Sequence, residues 1–82
     1  MMTLDETVRM MLSDDYKERF RAEYWQTKIR ADKLSLMLNR WEDGSLDFEP
    51  TCPKRALYTQ YTNMVNYLCS LRARADIENI EL

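Results

Sequence analysis

Apolar and polar positions alternate along this chain with helical periods, and the pattern divides it into one short and two long segments. Leu4, Val8, Met11 and Leu12 fall on one face at helical spacing, so a helix over about 4–12 is expected to dock as a lid. Thr3-Leu4-Asp5-Glu6 before it has the spacing of a capping box, in which hydroxyl and carboxylate satisfy each other's free backbone donors. Ser13 is the next cap candidate, with Asp14 and Asp15 in the first turn of a long helix over about 14–42.

In that helix Tyr16, Phe20, Tyr24, Thr27, Ala31, Leu34, Leu38 and Trp41 recur at steps of four and three, the spacing of a coiled-coil seam. At ~1.5 Å per residue it would run roughly 40 Å, more than so short a chain needs to enclose one central core. Gly44 suits the left-handed residue that closes a last turn. The loop over 43–52 follows, and Leu46 and Phe48 are expected to pack back onto the helix ends. Thr51 or Cys52 is expected to cap a second long helix over about 53–79, with proline in its first turn.

Leu57, Tyr61, Met64, Leu68, Leu71 and Ala75 repeat the seam spacing on that second helix. Antiparallel pairing sets Leu38 against Leu57, Leu34 against Tyr61, Tyr24 against Leu71 and Phe20 against Ala75. The expected fold is therefore all-α: an antiparallel, coiled-coil-like two-helix hairpin with a short N-terminal helix, in a single domain over 1–82. Apolar residues lie off the seam as well, notably Trp25, Ile29 and Leu36 on the first long helix and Val65 on the second. A lone hairpin has one inner face, so these four are expected to form an interface of a homo-oligomeric helical bundle.

Composition narrows the possibilities. The 82 residues, 45% hydrophobic and 32% charged with one Gly, exclude a disordered linker and are too few for a large core. There is no His, and the two cysteines, Cys52 and Cys69, lack the paired spacing of zinc sites, so no metal and no cofactor is expected. Cys69 is expected to be buried and Cys52 to sit at the loop end, both as reduced cytosolic thiols, although spacing alone leaves a bridge between them open. No apolar run is long enough to span a membrane. Without His, a general base would have to be a carboxylate or lysine in an apolar stretch, and one Gly cannot form a phosphate-cradling loop. An enzyme is not expected.

The net charge of −2 hides a segregation: residues 1–16 sum to −3, 17–41 to +4, 42–53 to −4, 54–75 to +4 and 76–82 to −3. Those acidic segments oppose binding to duplex nucleic acid or a membrane surface. From Ala56 to Leu71 no residue carries charge, which suits an oligomer interior or a ligand groove. Arg40, Lys54 and Arg55 gather near Trp41, Tyr58 and Tyr61 at the turn, supplying cations and stacking rings for a small nucleotide-like anion. Lys54 and Arg55 also stand in a helix first turn, where the dipole attracts anions. The competing reading is that these cations pair with the acidic loop and tail.

The run Tyr16-Lys17-Glu18-Arg19-Phe20-Arg21-Ala22-Glu23-Tyr24, with Leu34, Leu38, Phe48, Leu57, Gln60, Met64, Tyr67, Leu68, Leu71 and Arg72, resembles a family of small helical-hairpin proteins from gut bacteriophages and prophages, the crAss-like phage-related group. The likeness spans 14–74, mostly at heptad positions; the N-terminal lid and the proline-rich loop depart from it. It implies a phage origin and action in the host bacterial cytoplasm. In architecture alone the chain is similar to the sponge proteins of the anti-CBASS and anti-Thoeris groups. The expected function is counter-defence, an oligomer sequestering a cyclic-nucleotide-like immune signal between protomers. The alternative is an inhibitor or adaptor, anti-CRISPR-like for example, that binds a host defence protein through the Trp25–Ile29–Leu36 stripe. A structural phage component is the third possibility.

Overall fold

The computed structural model describes residues 2–82 and contains three helices and no strand among them: α1 (Leu4–Met11), α2 (Tyr16–Asp43) and α3 (Lys54–Glu78). At ~1.5 Å per residue α2 spans about 42 Å, which accounts for the molecule's longest dimension of 43 Å. α1 and α3 both pack on α2.

The helix ends show how local chemistry sets the boundaries. The Thr3 hydroxyl accepts the Glu6 N–H and donates to the Glu6 carboxylate, both at 3.3 Å. The carboxylate thus meets the hydroxyl, where the capping-box reading had it accept from the Thr3 backbone. The cap of α2 is Asp15, not Ser13: its carboxylate accepts the Lys17 N–H at 2.9 Å, while the Ser13 hydroxyl accepts the N–H of Asp15 itself. The serine is spent on the turn, and α2 begins two residues later than expected. At α3 neither Thr51 nor Cys52 caps. Pro53 occupies that position with φ −59° and no side-chain bond, its carbonyl accepting from Ala56 and Leu57.

Gly44 closes α2 at φ +79°, and the following Ser45 and Leu46 N–H groups return to the Arg40 carbonyl. α3 ends in the same way, on Asn79 at φ +57°, with the Ile80 N–H donating to the Ala75 carbonyl at 2.8 Å. Ile80 is thereby carried into the core.

Every seam residue of α2 and α3 is buried or half-buried except Tyr16. The main cluster is Phe20, Tyr24, Ala31, Leu68, Leu71, Ala75 and Ile80, with Trp25, Tyr61 and Met64 packed against it. Contacts between the helices run in opposite senses along the two chains: Lys54 meets Trp41 and Glu42 near the loop, Arg72 meets Tyr24 farther along, and Arg74 meets Phe20 beyond that.

Two features differ from the expected apolar pattern. α1 presents Thr7, fully buried, to α2, while Val8, Met11 and Leu12 are exposed. Thr7 can face inward because its hydroxyl donates to the Leu4 carbonyl at 2.6 Å, leaving no polar atom unsatisfied. On α2, Ala22 likewise has no exposed surface. Cys69 is exposed, not buried, because it lies one step off the seam residue Leu68; both cysteines are free. Leu46 is half-buried as expected, but Phe48 remains 55% exposed.

Candidate functional site

The turn end joins the last helical turn of α2 to the first of α3. The Lys54 ammonium lies 3.3 Å from the Glu42 carboxylate and 5.2 Å from the centre of the Trp41 ring. The Tyr58 hydroxyl donates to the same carboxylate oxygen at 3.2 Å. Partial desolvation, then the hydrogen bond to Glu42 and its charge, push the Tyr58 phenol above its ordinary value, so it stays neutral and remains the donor. Glu42 thus holds both Lys54 and Tyr58, and an anion recruiting Lys54 must displace it. Just past it hydrogen bonding with Ser45, through its side chain first and then its N–H, holds the Asp43 carboxyl below its ordinary value. Asp47 and Glu49 line the hollow beside Trp41, which disfavours anions there.

Of the six residues expected at the ligand site, the structure joins Trp41 and Lys54 in one contact and leaves Arg40 exposed beside them. Arg55 and Tyr58 lie together in a different place, lining an open hollow of about 430 Å³ with Thr59, Thr62 and Asn63. No carboxylate lines this hollow, and Arg55 forms no ion pair among the described residues. Tyr61 is not with them. It turns toward the core and lines the narrow groove between α2 and α3 with Lys28, Ala31, Val65 and Arg72.

The basic cluster at the other end is differently occupied. Arg74 pairs with Glu78 at 2.9 Å and lies 4.8 Å from the centre of the Phe20 ring. The Arg74 hydrogen bond draws the Glu78 carboxyl below its ordinary value. Arg72 donates from Nε to the Tyr24 hydroxyl at 2.9 Å, so the one buried tyrosine oxygen of the core is satisfied from α3. That bond crosses 48 positions of sequence, and heptad spacing alone offers no signal for it.

The four residues expected at an oligomer interface do not form one exposed stripe. Trp25 is half-buried, edge-on to Tyr24 with ring centres 5.2 Å apart. Ile29 is half-buried beside Leu4 and Asp5 at the start of α1. Leu36 is 51% and Val65 36% exposed, on different helices. Across the uncharged stretch of α3, by contrast, Tyr58, Thr62, Val65, Asn66, Tyr67 and Cys69 all face solvent.

Among the described residues no helix is long and apolar enough to cross a membrane, and no group of three or more His, Cys, Asp or Glu is placed to hold a metal ion. The fold and these surfaces define a small all-helical protein whose polar chemistry is carried on helix faces and a turn. The Sequestin family profile matches residues 14–77, from just before the cap of α2 to the last turn of α3, and the chain belongs to the Sequestin family. That name denotes sequestration, the holding of another molecule. α1 lies outside the matched residues. No curated protein and no solved structure matches the chain.

Proposed function

We propose that this chain is a non-enzymatic phage counter-defence protein: a homo-oligomer of α2–α3 hairpins that sequesters a small, anionic, nucleotide-like immune signal in the host bacterial cytoplasm. Family membership supports the holding of a second molecule. The observation that carries the ligand class is the hollow lined by Arg55, Tyr58, Thr59, Thr62 and Asn63. It combines a guanidinium unpaired within the chain for phosphate, an exposed ring for stacking, and hydroxyl and amide groups for base or sugar, with no carboxylate of the same chain lining it. Arg40, Trp41 and Lys54 stand at the neighbouring turn, where Lys54 joins the ligand only by leaving Glu42.

A host-protein inhibitor finds less support, because packing against the core and α1 takes Trp25 and Ile29 out of the stripe that reading needs. A thermal-shift screen against cyclic mono- and dinucleotides is the first test, since a ligand that binds only the folded state raises the melting temperature. Arg55→Ala and Tyr58→Ala are then each expected to weaken calorimetric binding by ~1–3 kcal/mol. No stabilisation by any nucleotide would refute the ligand class, and unchanged affinity in both variants would refute the site.

A further inference from the structure

The seam accounts for one side of α3. A second line of residues, Arg55, Tyr58, Thr62, Val65, Cys69, Arg72 and Asp76, also steps by three and four, and all seven are exposed. Their spacing is that of a coiled-coil seam without its partner. The middle of the line carries no charge; its N-terminal end carries the cation Arg55, and its C-terminal end the cation Arg72 followed by the terminal acid Asp76.

We propose that this line is the self-association face, and that α3 packs antiparallel on α3 of a second copy about a two-fold axis at Val65. An isologous contact requires a patch complementary to itself, and the charge pattern of α3 meets that requirement only in the antiparallel sense. A parallel pair would set Arg55 against Arg55 and Asp76 against Asp76. In the antiparallel register Arg55 faces Asp76 of the second copy, Tyr58 faces Arg72, and Thr62 faces Cys69. Tyr58 and Arg72 then meet as ring and cation, a pairing Arg72 already makes with Tyr24 in its own chain, 5.7 Å from that ring's centre.

The occupant is a second copy rather than an unrelated protein because both halves of the charge complement lie on this one helix. The inference rests on the proposed function for its purpose and deepens it, since each Arg55–Tyr58 hollow gains Arg72 of the second copy at its rim. The Arg55–Asp76 pairs stand at the solvent edge, where ion pairs are weak and exchangeable for another anion.

The register is testable through Cys69. Replacing Thr62 by cysteine in a Cys52→Ser background places two thiols opposite each other across the helix pair, within the Cα separation a disulfide spans. Mild oxidation is expected to convert that variant almost entirely to a covalent dimer. The Cys52→Ser protein alone is expected to stay uncrosslinked, because the two Cys69 residues stand seven positions out of register, about 10 Å along the axis. Light scattering on the unaltered chain is expected to give twice its 9.9 kDa mass, falling to one chain in Val65→Glu with helicity retained. A single-chain mass at high micromolar concentration would overturn the inference, as would a dimer that crosslinks through Leu36→Cys in a cysteine-free background but not through Thr62→Cys. The crosslink needs no ligand, so its failure falls on the interface, whereas a failed nucleotide titration of the unaltered dimer, with Thr62 intact, falls on the proposed function.

Discussion

Leu71→Ala and Leu36→Ala make the same chemical change at two sites that the structure treats oppositely. Leu71 is 2% exposed, in the cluster of Phe20, Tyr24, Ala75 and Ile80, whereas Leu36 is 51% exposed on the outer side of α2. A buried Leu→Ala change costs about 2.7–5.0 kcal/mol, the lower values arising where neighbours collapse into the gap. Ile80 lies beyond the end of α3 and can settle inward, so a cost of about 3 kcal/mol is expected. A chain of this size has about 4–12 kcal/mol of total stability, so the change removes a quarter or more of it. The melting temperature should fall by ~12–24 °C at ~4–8 °C per kcal/mol. Leu36→Ala should cost under about 1 kcal/mol, since half of that side chain already meets water. Helical ellipticity followed through thermal unfolding, at one protein concentration because association adds a mass-action term, reads both. A Leu71→Ala cost below about 1 kcal/mol would refute the core assignment, and equal costs at the two sites would show Leu36 to be covered in the assembly.

Gly44→Ala should cost about 1–2 kcal/mol in the same assay, because nothing crowds a Cβ there and the penalty is that of φ +79° alone; Gly44→Asn should cost less. Tyr24→Phe keeps the ring and removes the acceptor of the Arg72 Nε–H, so about 0.5–1.5 kcal/mol is expected, with the fold retained. Asp43 and Glu78 both titrate below their ordinary values in the folded chain, Asp43 chiefly through Ser45 and Glu78 chiefly through Arg74. Their contribution is therefore present above the unfolded-state carboxylate range and lost as pH falls through the folded values. Melting curves across acid pH should show that loss, and Asp43→Asn with Glu78→Gln should flatten it.

Which residues of α2 and α3 turn inward was legible from spacing alone, because a seam at steps of four and three is a property of the helix itself. Gly44 was legible for a similar reason: few residues other than glycine tolerate a left-handed last turn. The caps were harder, since Ser13 and Asp15 both offer an oxygen and only the path of the turn decides which meets a free N–H. The lid was misread because burial was taken to follow hydrophobicity. At α1 a threonine that satisfies its own hydroxyl is the residue buried, and Val8 and Leu12 face outward. At the turn, sequence proximity grouped Tyr61 with Tyr58, but Tyr61 lies on the seam four positions after Leu57, whereas Tyr58 stands one position past Leu57 and off it, toward solvent. Glu42 was the missing member there, an acid between two expected ligand groups that only the folded chain brings into contact with both.

The inward-facing Thr7 has a consequence for how the molecule opens. Its hydroxyl is satisfied within α1, so lifting that helix breaks no side-chain hydrogen bond from Thr7 to α2. α1 is a single short helix, and Val8, Met11 and Leu12 on it already meet water. Hydrophobic cost scales with the apolar area returned to water, and an eight-residue helix holds little structure of its own in isolation. α1 is thus the first part of the fold to exchange its amide protons, detaching and unravelling in one step at a free energy well below that of separating α2 from α3. Its amides should exchange early while those around Leu68 and Leu71 are retained until the whole chain unfolds.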